Sequence, residues 1–118
     1  MKILTHWSEH IREALKYADG RYTFEDIEER LANHTADLWV TEKSAGIGWL
    51  ESYPRKDVYV IAFGGGDLKD MQSVMPQIED YAREMGCQDL IIYGRRGWGR
   101  VLPDFEVVST QHRKRLHV

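Results

Sequence analysis

The chain has 118 residues and a mass of 13.8 kDa, the size of one domain spanning 1–118. A hydrophobic fraction of 42% beside 30% charged residues excludes a chain too polar to fold. A net charge of -3 and a pI near 5.9 exclude a strongly basic binder of nucleic acid or anionic membrane. The charge is uneven, acidic from Glu25 to Glu29 and basic from His112 to Arg115. Cys87 is the one cysteine, so no internal disulfide forms, as a reducing compartment would favour. The first residues turn polar at Thr5 and His6, no window approaches the roughly eighteen apolar residues of a membrane span, and the cytoplasm is the expected location.

In chain order, Ser8 is a helix N-cap residue type, and Ile11, Ala14, Leu15 and Ala18 follow at helical spacing until Gly20. Thr23 opens a second helix with Asp26 three residues on, close to a capping box, and Phe24, Ile27 and Leu31 as its apolar stripe. Asn33 ends it. Leu38 to Thr41 and Ile47 to Tyr53 read as an antiparallel strand pair around a tight connection at Glu42 to Ser44. Val58 to Phe63 is a continuous apolar run, the pattern of a strand buried on both faces.

Gly64, Gly65 and Gly66 are expected to break that strand, with Asp67 capping a helical pattern that runs to Met85. Pro76 either kinks this helix or opens a second segment. Leu90 to Tyr93 is a further buried-type strand. Gly97 to Leu102 is expected to form a short helix before Pro103, and Glu106 to Arg115 a final strand. The expected order is α-α-β-β-β-α-β-α-β, an α/β (α+β) class with about five strands.

This order, from Thr23 onward, resembles the GNAT fold of acyl-CoA N-acyltransferases. Val58 to Phe63 matches the family's central strand, and Asp67 to Met85 the helix whose start faces the cofactor pyrophosphate. Tyr81-Ala82-Arg83-Glu84-Met85-Gly86-Cys87 resembles the end of that helix, and Trp98, Leu102 and Phe105 sit where the family closes on a Gly-Phe pair. The resemblance implies a central mixed, mostly antiparallel sheet flanked by helices. The Gly-Gly-Asp-Leu turn, the Met-Gly-Cys helix end and the Arg-x-Gly-Trp segment further resemble compact proteins of tailed bacteriophages.

Several residues depart from that family. Its acetyl-CoA binders carry an Arg/Gln-x-x-Gly-x-Gly/Ala loop whose amides converge on pyrophosphate, whereas this chain reads Gly64-Gly65-Gly66-Asp67-Leu68-Lys69-Asp70. Asp67 and Asp70 put carboxylates where the anion would sit, and like charges at that range repel by on the order of a few kcal/mol near a surface. Many family enzymes place a tyrosine five residues before the closing phenylalanine; here that position is Arg100, and Asp104 replaces the glycine. The central strand lacks an acid, leaving Glu51 on the preceding strand as the candidate base.

The candidate cofactor-binding residues are therefore Gly64, Gly65 and Gly66 with Arg95, Arg96 and Arg100, each weighed against a plain turn and a solvated basic loop. The five histidines share no metal-ligand spacing with Cys87, and Cys87 sits at a helix-to-strand junction that suits a buried small residue. Neither a metal nor a cysteine nucleophile is expected. Trp39 and Trp49 are expected to pack, and Trp7 to offer a contact surface. Nucleic-acid binding by the basic tail is not favoured.

Two functions follow from the resemblance. One is a phage-type GNAT-like protein without acetyl transfer, acting by protein contact in the virion or its assembly in the host cytoplasm, with a protein partner or homo-oligomer and no cofactor. The other is an acetyl-CoA-dependent N-acetyltransferase with a non-standard cradle. On that second view Gly65→Asp is expected to remove acetyl transfer and spare the fold.

Overall fold

The computed structural model describes residues 2–93 and 102–117. Its elements are α1 (Lys2–Leu15), α2 (Phe24–Ala32), β1 (Asp37–Val40), β2 (Ser44–Ser52), β3 (Asp57–Gly66), α3 (Leu68–Met71), α4 (Met75–Glu84) and β4 (Asp89–Ile92). The four strands lie in the order β1-β2-β3-β4, antiparallel at the first two junctions and parallel at the third. The fifth strand expected over Glu106 to Arg115 does not form: that segment is neither helix nor strand. The short helix expected from Gly97 falls outside the described residues except at Leu102, which is not helical.

Helix α1 starts at Lys2, so Ser8 is an interior residue rather than the cap. The reason is tertiary. The Trp7 ring stacks on Phe24 with centroids 5.5 Å apart, which holds the earlier turn against α2 and overrides a local cap preference. Trp7 is thus a half-buried packing residue, not the free contact surface expected of it. Helix α2 begins as its sequence indicates. The Asp26 amide donates to Thr23 Oγ1 at 3.2 Å while the Thr23 amide donates to Asp26 Oδ2 at 2.8 Å, closing a capping box.

The glycine run does not end β3, which continues through Gly64 and Gly65 to Gly66, paired with Ser44 to Gly46 of β2. Small residues on both sides let the two backbones keep their ladder under the packed helices. The register shifts between Ile47 and Gly48, which face Phe63 and Ile61, leaving Ala62 as the extra residue of a β-bulge. Pairing of β3 with β4 stops at Ile61↔Ile92, just before this bulge. Beyond it β3 runs on with no strand on its β4 side among the described residues, and this end of the parallel pair forms a fork.

Each face of the sheet carries its own apolar cluster. Ile11, Phe24, Ile27, Ile47, Trp49 and Val60 join α1 and α2 to one face. Tyr59, Ile61, Met71, Met75 and Ile78 join α3 and α4 to the other, with Leu102 buried among them. Pro76 lies in the first turn of α4, so the helical pattern after Asp67 is two helices rather than one. The missing proline N–H and the ring's clash with the preceding turn explain the break. No helix among the described residues is long and apolar enough to cross a membrane.

Candidate functional site

The fork is the natural place to look for a ligand, because bulges interrupt regular pairing and often lie beside functional sites. The chain's own atoms occupy one side of it. At Gly65 an added Cβ would collide with the His10 carbonyl of α1, and at Gly66, where φ is +93°, it would collide with the Lys43 carbonyl. The glycines therefore permit close approach of α1 and the β1–β2 turn. Gly65→Asp would strike the backbone of α1, so the expectation that it spares the fold does not hold.

The start of α3 is likewise engaged from within. Asp67 Oδ1 accepts from the Lys69 amide at 2.9 Å and the Asp70 amide at 3.4 Å. Asp70 Oδ2 accepts from the Lys43 amide at 2.7 Å and from the Thr41 hydroxyl, which also contacts the buried Ser44 hydroxyl. Hydrogen bonds from Thr41 and the Lys43 amide hold the Asp70 carboxyl below its usual range. On α1, His6 and His10 sit one turn apart. Their rings meet edge-on at 4.5 Å, with 3.2 Å between His10 Nε2 and His6 Nδ1 and 3.2 Å between His6 Nε2 and the Thr41 carbonyl. Because α1 begins at Lys2, ahead of both, the two histidines share a helical face. Burial first, then the neighbouring His6, pushes the His10 imidazole down.

Glu51 lies elsewhere. It pairs with Val58, whereas the glycines pair with Ser44 to Gly46, so base and glycines are at opposite ends of the β2–β3 ladder. Six residues of strand put about 20 Å between them. The Glu51 carboxylate accepts from Tyr53 OH at 2.6 Å, Tyr93 OH at 3.1 Å and Trp49 Nε1 at 3.3 Å. Burial raises its pKa, but those three donors and the nearby Arg30 outweigh it, and the carboxyl is held below its usual range. Burial and the same carboxylate push the Tyr93 phenol up to about 12. Arg30 stacks on the Trp49 ring at 3.7 Å. Arg95, Arg96 and Arg100 lie outside the described residues.

Sequence reasoning missed a second polar group on the opposite face. Tyr59, fully buried, donates to Asp37 Oδ2 at 2.7 Å and accepts from Trp39 Nε1 at 2.9 Å, and Tyr81 OH lies 3.4 Å from Asp37 Oδ1. Gly48 leaves the space in which the Tyr59 ring lies. The signal was a single tyrosine inside an apolar strand, since a buried phenol needs a partner. Among the described residues no cluster of His, Cys, Asp and Glu could hold a metal ion. Burial raises the Cys87 thiol, as does the charge of Asp57, which leaves it a poor nucleophile.

Solved structures place this arrangement. A probable acetyltransferase superposes with a TM-score of 0.63 at 9% identity, covering 92% of this chain and 85% of that one. A protein of Thermus thermophilus gives 0.53 at 8%, covering 94% and 92%. A GNAT family acetyltransferase of Staphylococcus aureus subsp. aureus USA300_TCH1516 gives 0.52 at 12%, covering 85% and 84%. No protein-family model and no curated protein matches the sequence. The chain has a GNAT-like fold: a mixed, mostly antiparallel sheet between two helical layers.

Proposed function

We propose that this chain uses a GNAT-like fold to recognise a protein partner rather than to transfer an acetyl group. One observation carries the reading: at the fork, the groups that would face a cofactor pyrophosphate are turned on the chain itself. The α3 amides of Lys69 and Asp70 bond to Asp67, the Lys43 amide bonds to Asp70, and the His10 backbone lies on Gly65. A phosphate arriving there would meet two carboxylates and would have to displace neutralising hydrogen bonds. The helix behind that position is a single turn, separated from α4 by the break before Pro76. Calorimetric titration with acetyl-CoA and with CoA tests the reading. No heat at millimolar ligand is expected, and micromolar binding would overturn it.

The finer placement, in the particle or assembly pathway of a tailed phage within the host cytoplasm, is supported by the sequence resemblance of the Gly-Gly-Asp-Leu and Arg-x-Gly-Trp segments. Mass spectrometry of purified particles and assembly intermediates checks it, and absence from both would refute that placement.

The β3–β4 fork favours a second reading, an acetyl-CoA-dependent N-acetyltransferase with Glu51 as base. A carboxylate held below its usual range by three donors is a weak base at neutral pH. Only a ligand with a long extended arm would join the glycines to Glu51. Binding in the titration above would select this reading.

A further inference from the structure

Strand β2 outlasts β1. Their pairing ends at Asp37↔Gly48, whereas β2 continues to Ser52, so over residues 49–52 only β3 flanks it among the described residues. Such an edge presents alternate N–H and C=O groups to any extended chain that arrives. A hollow of about 380 Å³ lies beside it, walled by Arg30 and His34 at the end of α2, by Asp37, and by Tyr81 and Met85 at the end of α4, with Leu50 on the strand itself. Leu50 and Met85 are 38% and 37% exposed. An apolar side chain entering here would cover both.

The chain carries a segment suited to that edge. Residues 106–117 run without helix or strand, exposing Val107 at 86% and Val108 at 69%. Two adjacent valines in an extended chain point to opposite faces. One would meet Leu50 and the other Trp49, which line the hollow on opposite faces of β2. The segment also bears Arg113, Lys114 and Arg115, opposite in sign to the net charge of -3 of the whole chain. Ion pairs from Arg113 and Arg115 to Asp19, all with well-exposed side chains, tie the segment to its own domain. Surface pairs of this kind hold weakly and exchange readily.

We propose that residues 107–110 of one copy add as a strand to the 49–52 edge of a second copy, giving a reciprocal two-fold dimer. This rests on the protein-recognition reading above and names its partner. A reciprocal exchange closes on itself and so makes a dimer rather than a filament.

Sedimentation velocity of the full chain over a range of concentrations tests the proposal, together with Val107→Asp and Val108→Asp, both at exposed positions that leave the core intact. The expected result is a dimer whose dissociation constant rises at least tenfold in each variant, with an unchanged circular dichroism spectrum. In addition, an unlabelled peptide of residues 106–116 should shift the amides of residues 48–52 in the isotope-labelled chain. A monomer at every concentration, a dimer indifferent to both variants, or peptide shifts confined to another surface overturns the proposal. A monomer that also ignores acetyl-CoA would sink the exchange and leave the recognition reading in place. A dimer that binds acetyl-CoA at micromolar concentration would do the reverse.

Discussion

Gly65 and Asp70 define what the fork can accept. In an acyl-CoA cradle a glycine run keeps side chains away from a ligand; here it keeps them away from α1, since the His10 backbone fills the space. The two roles make different predictions for the smallest substitution. Gly65→Ala adds one methyl group, which a ligand cradle would pass on to binding and a packed contact passes on to folding. We expect the variant to lose about 1–3 kcal/mol of stability, the usual cost of overpacking against atoms that cannot move aside. Urea melts give this as a lower midpoint with an unchanged slope. A variant as stable as the parent would mean that α1 does not press on Gly65, and the main support for the recognition reading would go with it. Asp70 cements the same contact, because its carboxylate ties α3 to the turn that α1 covers.

At the scale of elements, the sequence was most readable where one local rule acts alone. The α2 capping box, the antiparallel pair joined near Glu42 to Ser44 and the buried strand from Val58 to Phe63 formed as their residues indicate, although β2 already begins at Ser44 and β3 runs on to Gly66. Boundaries governed by tertiary contact were not readable. Nothing near Lys2 marks a helix start, and the Trp7–Phe24 stack that extends α1 joins residues seventeen apart. Gly64 to Gly66 look like a strand break because glycine is a poor strand former, yet neighbouring Ala45 and Gly46 are also small and the ladder persists. The tail failed for a further reason. Val107 and Val108 have strand propensity, but propensity makes no strand without a partner edge. As for the site, Glu51 and the glycines were visible as residue types, whereas their separation along β2 emerges only once register is known. The His6–His10 pair was hidden by the misplaced start of α1.

For the whole molecule, these contacts combine into a pH profile whose sign can be worked out. The His10 pKa is lowered on folding, so below its ordinary value of 6.5 the unfolded chain binds protons more readily than the folded one. Its contribution to stability is complete above pH 6.5 and declines as pH falls towards the lowered folded value. Asp19, Glu51 and Asp70 also have lowered pKa values, from 3.8, 4.5 and 3.8, so their contributions are lost only at more acidic pH. On the alkaline side, burial raises the Tyr59 and Tyr93 phenols above 10, so folding favours their neutral forms and stability falls again above about pH 10. The expected curve is a plateau from about pH 7 to 9, a shoulder of loss as pH falls below 6.5 towards the lowered His10 value, and a steeper fall where the carboxylates titrate. Urea midpoints taken at pH 5, 6, 7 and 8 trace the shoulder. In His10→Gln, which carries no titrating proton at that position, the loss that begins below pH 6.5 should shrink while the steeper fall in the carboxylate range remains. Equal midpoints at pH 5 and 7 in the parent chain would show that His10 is not held neutral against α1's neighbours. A shoulder left intact in the variant would move the titration to another group.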